Sequence, residues 1–110
     1  MKDEAKILSY YTKLLDEADD LIFLECQNLF RYNKKMKALH KQSFEILQKE
    51  EVQKVPSEMV KEFKNLKQAI KITKSHLNYL SDKKLELETS IDIVKSHSYD
   101  NFIYHHDRNL

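Results

Sequence analysis

The chain contains no glycine, and Pro56 is the only proline among its 110 residues. Glycine supplies the positive φ angles that tight hairpins and phosphate-binding loops require. A chain without it is therefore a poor candidate for a β-sandwich, a dinucleotide-binding fold or a P-loop. About a third of the residues (34%) are charged, and Lys, Glu and Leu dominate, which is typical of long helices. The sequence predicts an all-α fold.

The segment after Pro56 carries apolar residues at alternating steps of four and three. This heptad spacing predicts a helix over about 57–97 that packs along one face as a coiled coil, with Ser57 as its N-cap. Thr73 and Lys84 interrupt the seam; Lys84 either fixes the register of pairing or is tolerated because its charged end can reach water. The predicted seam residues are Phe63, Leu66, Ile70, Leu77, Leu80, Leu87, Ile91 and Val94.

The first half of the chain carries a matching stripe, broken at Glu25 and Ser43, which predicts a first helix over about 3–50. A polar turn at about 51–56 would join the two helices into an antiparallel hairpin, followed by a tail at 98–110. We expect a single domain, 1–110, whose hairpins dimerise into a helical bundle. The stripe residues are Leu8, Tyr11, Leu15, Ala18, Ile22, Leu29, Tyr32, Met36, Leu39 and Ile46.

One segment of the first helix is apolar around most of its circumference. A two-helix hairpin buries one face of each helix, so part of this segment would remain in water, and exposed apolar patches mark association sites. We favour docking of a second copy, giving a homodimer, or of a helical partner subunit. The alternative is a three-helix adaptor or chaperone cofactor whose own segment 98–110 folds back over the patch. The predicted interface residues are Leu15, Leu21, Ile22, Phe23, Leu24, Leu29 and Phe30.

No residue pattern indicates catalysis. Cys26 has no neighbouring base in the sequence, so we expect a small buried apolar residue rather than a nucleophile. His105, His106 and Asp107 are adjacent, whereas zinc ligands on one helix face are three or four residues apart, so we expect a solvated terminus. His76 is expected on a polar surface. The sequence predicts no catalytic, metal or cofactor site, and we expect that the chain is not an enzyme.

The net charge is only +1, which argues against a general nucleic-acid binder. The basic run 31–41 is interpreted as a solvated helix face, and a nucleic-acid accessory protein that uses this run stays an alternative. No apolar run approaches the length of a membrane span, and a single cysteine excludes an intramolecular disulfide. We therefore expect an intracellular protein without a membrane partner.

Two short patterns follow each other along the chain. In the first, Tyr10 or Tyr11 precedes Leu15-Asp16, and Leu21 and Glu25 follow. The second consists of Tyr79 and Ser81-Asp82-Lys83, followed by Asp92-Ile93-Val94 and His97. Together they resemble the N-terminal helical domain of the inhibitor-of-growth (ING) family, although Ile22 stands where that family has a proline.

The ING resemblance implies a non-enzymatic assembly and dimerisation module of a chromatin-modifying complex, of the histone acetyltransferase or deacetylase kind. It also implies a nuclear location. The family's zinc-binding PHD finger cannot lie in this segment, since Cys26 is its only cysteine.

The interface prediction can be tested with Leu21→Asp and Leu24→Asp. If these residues contact another chain, each aspartate should abolish association and leave most of the helicity, because a buried carboxylate is costly while an exposed one is not. Light scattering measures the size. A variant that keeps the wild-type size would contradict an interface at these positions.

Overall fold

The computed structural model describes residues 2–49 and 54–108, with side chains described for 3–49 and 54–97. It consists of two helices, α1 (Lys2–Lys49) and α2 (Ser57–Arg108), and the described ranges contain no strand. The helices pack against each other as an antiparallel hairpin, which confirms the predicted all-α fold class. Dimerisation of this hairpin stays a prediction.

The start of α2 differs in detail from the prediction. The carbonyl oxygen of Pro56 accepts hydrogen bonds from the backbone N–H groups of Met59 (3.0 Å) and Val60 (3.2 Å). The second is the first bond of the α-helical ladder, so Pro56 occupies the N-cap position and Ser57 is the first helical residue. A proline loses nothing there, since the missing N–H is not needed. Glu58 follows in the first turn, where a negative charge favours the helix dipole.

The predicted end of α2 near residue 97 is wrong. The helix continues to Arg108, because the sequence after the last seam residue contains neither glycine nor proline to stop it. This continuation also removes the three-helix alternative, since a segment that extends α2 cannot fold back over α1. His105, His106 and Asp107 lie within the helix, and their side chains are outside the described residues.

The seam follows the predicted heptad spacing on both helices. Along α1 every predicted stripe residue is buried or half-buried, and so are the interrupting Glu25 and Ser43. Along α2, Leu80 and Leu87 are buried and the other six predicted seam residues are half-buried; the interrupting Thr73 is also buried. No described side chain is less than 2% exposed, which is expected where two helices cover each other from one side only.

The chain divides into two compact units, each of which combines one segment of α1 with one of α2. Unit 1 consists of Met1–Ile22 and Tyr79–Leu110, and unit 2 consists of Phe23–Asn78. The predicted single domain, 1–110, stays a prediction. Within the described ranges, neither helix holds a stretch that is long and apolar enough to cross a membrane.

A pair of leucines in unit 1 tests how much the seam contributes to stability. Leu80 is 5% exposed and Leu85, on the same helix, is 63% exposed. We expect Leu80→Ala to lower the free energy of unfolding by about 2–5 kcal/mol, through lost burial and the cavity left behind. Leu85→Ala should change it by less than about 0.5 kcal/mol. Urea unfolding followed by circular dichroism measures both; equal losses would contradict the seam.

Candidate interaction surfaces

The predicted interface residues fall into two groups in the structure. Leu15, Ile22 and Leu29 are half-buried members of the seam, so the hairpin itself covers them. Leu21, Phe23, Leu24 and Phe30 are exposed. The surface offered to another molecule is therefore smaller at this point of α1 than the sequence suggested, and it lies outside the seam.

The exposed apolar residues of α1 in unit 1 precede the seam by one position. Ile7, Tyr10, Leu14 and Leu21 come directly before Leu8, Tyr11, Leu15 and Ile22. We call these four residues the unit 1 stripe. Ile7, Tyr10 and Leu21 are exposed and Leu14 is half-buried. Their heptad spacing gives unit 1 a second apolar helix face beside the one that α2 covers.

The exposed apolar residues of α1 in unit 2 mostly follow the seam by one position. We call Phe23, Cys26, Phe30, Phe44 and Leu47 the unit 2 stripe; the polar residues Asn33, Lys37 and His40 occupy the intervening places of the same repeat. The three phenylalanines are 64%, 70% and 61% exposed. Phe23, Cys26 and Phe30 line an open groove together with Gln27 and Arg31.

The two stripes explain why the segment around Leu21 is apolar in every direction. Leu21 belongs to the unit 1 stripe, Ile22 to the seam and Phe23 to the unit 2 stripe. Consecutive residues of a helix point about 100° apart, so three neighbours serve three different faces.

Cys26 corrects one prediction. Its side chain is exposed rather than buried. The reason is its position, one residue after the half-buried Glu25, which places the thiol on the outer face of α1 instead of in the seam.

The side of unit 2 that carries its stripe is also strongly basic. On α2, Lys64, Lys67, Lys71 and Lys74 are exposed and follow their own seam by one position, as the unit 2 stripe does on α1. In an antiparallel helix pair these positions lie on the same side. The contact between the rings of His40 and Phe63, with centroids 4.7 Å apart, joins the two helices on that side. This side of unit 2 therefore combines exposed aromatic side chains on α1 with a row of lysines on α2.

Charge is divided unequally between the two units. Unit 2 contains 12 basic and 6 acidic residues, a net charge of +6. Unit 1 contains 7 basic and 12 acidic residues, a net charge of −5, and together these give the +1 of the whole chain. The small total therefore conceals one basic and one acidic half, each able to attract a partner of opposite charge.

The other side of unit 2 holds a second open groove, of about 520 Å³. Its lining combines the small side chains Ala38 and Ala69 with the polar Lys35, Gln42, Glu62 and Asn65. This mixture lacks the continuous apolar spacing of the unit 2 stripe. Among the described residues, no group of three or more His, Cys, Asp or Glu side chains is placed to hold a metal ion.

Polar residues at the seam find partners across the hairpin. In unit 1, Nζ of Lys84 lies 2.8 Å from Oδ1 of Asp19, and this hydrogen bond and the charge of Asp19 raise the pKa of Lys84. The interaction supports a role for Lys84 in the register of pairing, because a shift along the seam would separate the two groups.

In unit 2, Nδ1 of His76 lies 3.0 Å from Oε2 of Glu25, and the side-chain amide of Asn28 donates to Oε1 of Glu25 at 2.9 Å. The hydrogen bond with His76, and next the one from Asn28, lower the pKa of Glu25. His76 is exposed as expected, but it belongs to this cross-helix contact rather than to an isolated polar surface.

Comparisons with protein families, with curated proteins and with solved structures found no significant match to this chain.

The lowered pKa of Glu25 predicts a pH dependence. Its hydrogen bonds favour the carboxylate, so Glu25 stabilises the fold fully above the ordinary pKa of 4.5, and this contribution is lost as the pH falls through the lowered value. The difference in unfolding midpoint between wild type and Glu25→Gln should therefore shrink on acidification. Glu45→Gln, an exposed change in the same unit, is the control. A Glu25→Gln difference that stays constant across this pH range would contradict the assignment.

Proposed function

We propose that the chain is a non-enzymatic assembly module, whose outer helix faces bind another helix by coiled-coil contacts. The observation that carries this proposal is the unit 2 stripe. Three phenylalanines, each more than half exposed, continue a heptad repeat on a face that α2 does not cover. Isolated exposed apolar residues are normal, but a repeat at helix-packing spacing suits knobs-into-holes contact with a further helix.

The size of these side chains supports a binding role over a structural one. Aromatic residues bury large areas and dominate the energetics of protein interfaces. In the hairpin alone, Phe23, Phe30 and Phe44 contribute little to burial, so the fold itself gives no reason for phenylalanine at these positions. A partner helix that covers them would supply that reason.

The resemblance to the ING N-terminal domain extends the proposal to the kind of complex that the chain joins and to its location in the cell. On that basis the assembly is a chromatin-modifying complex of the acetyltransferase or deacetylase kind, and the protein is nuclear. The resemblance is carried by Leu15, Asp16 and Leu21 in the first pattern and by the segment from Tyr79 to His97 in the second.

The proposal predicts that Phe23→Ser/Phe30→Ser separates the chain from its assembly without unfolding it. Truncating a central aromatic contact costs about 2 kcal/mol or more, so the loss of two should lower the affinity by at least about thirtyfold. The measurement is the size of the complex formed at native expression level, by gel filtration of cell extract, with circular dichroism of the purified variant as the test of folding.

Ile72→Ser is the matched control. Ile72 is 60% exposed in the same unit, but it lies on α2 and precedes its seam, away from the unit 2 stripe. This variant should keep the wild-type complex. If the double phenylalanine variant also keeps it, the proposed function is wrong.

A further inference from the structure

We propose that the apolar stripe of the basic unit 2 in one molecule binds the apolar stripe of the acidic unit 1 in a second copy of the same chain. The inference rests on the proposed assembly function and specifies its partner. Two independent observations support it: both units carry an apolar helix face that the hairpin leaves exposed, and the two units have opposite net charge.

The basic surface selects for a partner with negative charge. Arg31, Lys34 and Lys41 are exposed on α1 around the unit 2 stripe, and Lys37 lies within its repeat. The four exposed lysines at 64–74 border the same side from α2. An apolar helix with neutral or basic flanks would bring like charges together there, which disfavours binding.

Unit 1 has the required chemistry. Its stripe offers Ile7, Tyr10 and Leu21 as exposed apolar side chains. Asp3 and Glu17 are exposed acidic residues that occupy places in the repeat of this stripe, and the exposed Glu86 precedes the α2 seam by one position, so it lies on the same side. On α2, Tyr79 and Ile93 are exposed and precede their seam by one position, so they lie on the same side of unit 1 as its stripe.

The dimensions of the two stripes are compatible. The unit 1 stripe extends from Ile7 to Leu21, about 21 Å along a helix, and the unit 2 stripe extends from Phe23 to Leu47, about 36 Å. The shorter unit 1 stripe can therefore lie entirely within the length of the unit 2 stripe. Both repeat at alternating three- and four-residue steps, as packing between two helices requires.

A single-stranded nucleic acid is the competing ligand for a basic, aromatic surface. The spacing of the phenylalanines favours a helix instead. Phe23 and Phe30 are seven residues apart, about 10.5 Å along α1, which matches two turns of a partner helix. Successive bases stacked on neighbouring aromatic rings would need a closer spacing.

Charge reversal tests the pairing directly. One variant, Lys34→Glu/Lys37→Glu/Lys41→Glu, lowers the net charge of unit 2 from +6 to 0; the other, Glu17→Lys/Glu86→Lys, brings the net charge of unit 1 from −5 to −1. Each exchanges residues of similar helix propensity and leaves the Lys84–Asp19 and Glu25–His76 contacts intact. Each variant alone should self-associate at least about tenfold more weakly than wild type, because most of the attraction between its two surfaces is removed.

Mixing the two variants in equal amounts should restore association, since the unchanged acidic unit 1 of the first variant then meets the unchanged basic unit 2 of the second. Sedimentation velocity measures this, and circular dichroism verifies that each variant is folded. Wild-type association should also weaken as salt is raised from about 0.1 M to about 1 M, where the screening length falls from about 10 Å to about 3 Å. Two variants that associate like wild type, or a mixture that shows no recovery, would overturn the inference.

A wild-type chain that remains monomeric at every concentration would also overturn it. If such a chain binds a single-stranded RNA 20-mer, and the lysine-reversed variant does not, the basic surface serves nucleic acid instead. The proposed assembly function has a separate test: it is wrong if Phe23→Ser/Phe30→Ser forms the same complex as wild type in cell extract. A monomeric wild type combined with loss of that complex would place the partner in another protein.

Discussion

The structure depends on one geometric constraint: two helices that pack only against each other can bury one face apiece. The heptad seam satisfies that constraint on both helices, with Leu39, Leu80 and Leu87 among its most buried residues. No described side chain is enclosed on all sides. Every apolar residue outside the seam therefore contacts either water or another molecule. The two stripes consist of such residues.

The two exposed apolar faces differ in the charge of the units that carry them. Unit 1 and unit 2 both carry an apolar stripe, but unit 1 has a net charge of −5 and unit 2 has a net charge of +6. Apolar contact supplies most of the free energy of helix association, while the charges decide which face is accepted. Cross-helix contacts such as Lys84–Asp19 and Glu25–His76 have a related effect within each unit, because they favour one register of the hairpin.

Much of the fold could be predicted because the alternating four- and three-residue spacing of the seam continues through ten successive steps from Met59 to Val94, with Thr73 and Lys84 as its only polar members. Helix ends were harder. The end of α2 has no glycine or proline to mark it, so the end of the apolar repeat was mistaken for the end of the helix. The N-cap was misplaced by one residue, since Ser57 is the usual capping type and Pro56 is not.

The surfaces were harder to predict than the seam. The basic and acidic halves each combine segments that are distant in sequence, so a total charge of +1 concealed them until the pairing of α1 with α2 was known. Phe44 and Leu47 were not assigned to any surface because they lie far along α1 from the conspicuous apolar segment. Their spacing of 14 and 21 residues from Phe30 and Cys26 was the signal that could have linked them.

The central claim is that a helix of a second copy of this chain covers the outer faces. Sedimentation velocity of the unmodified chain, over a dilution series from millimolar to micromolar, tests it most directly. The account predicts that a larger species sediments at high concentration and that dilution converts it reversibly to the monomer. A single monomeric species over the whole range would contradict association between copies.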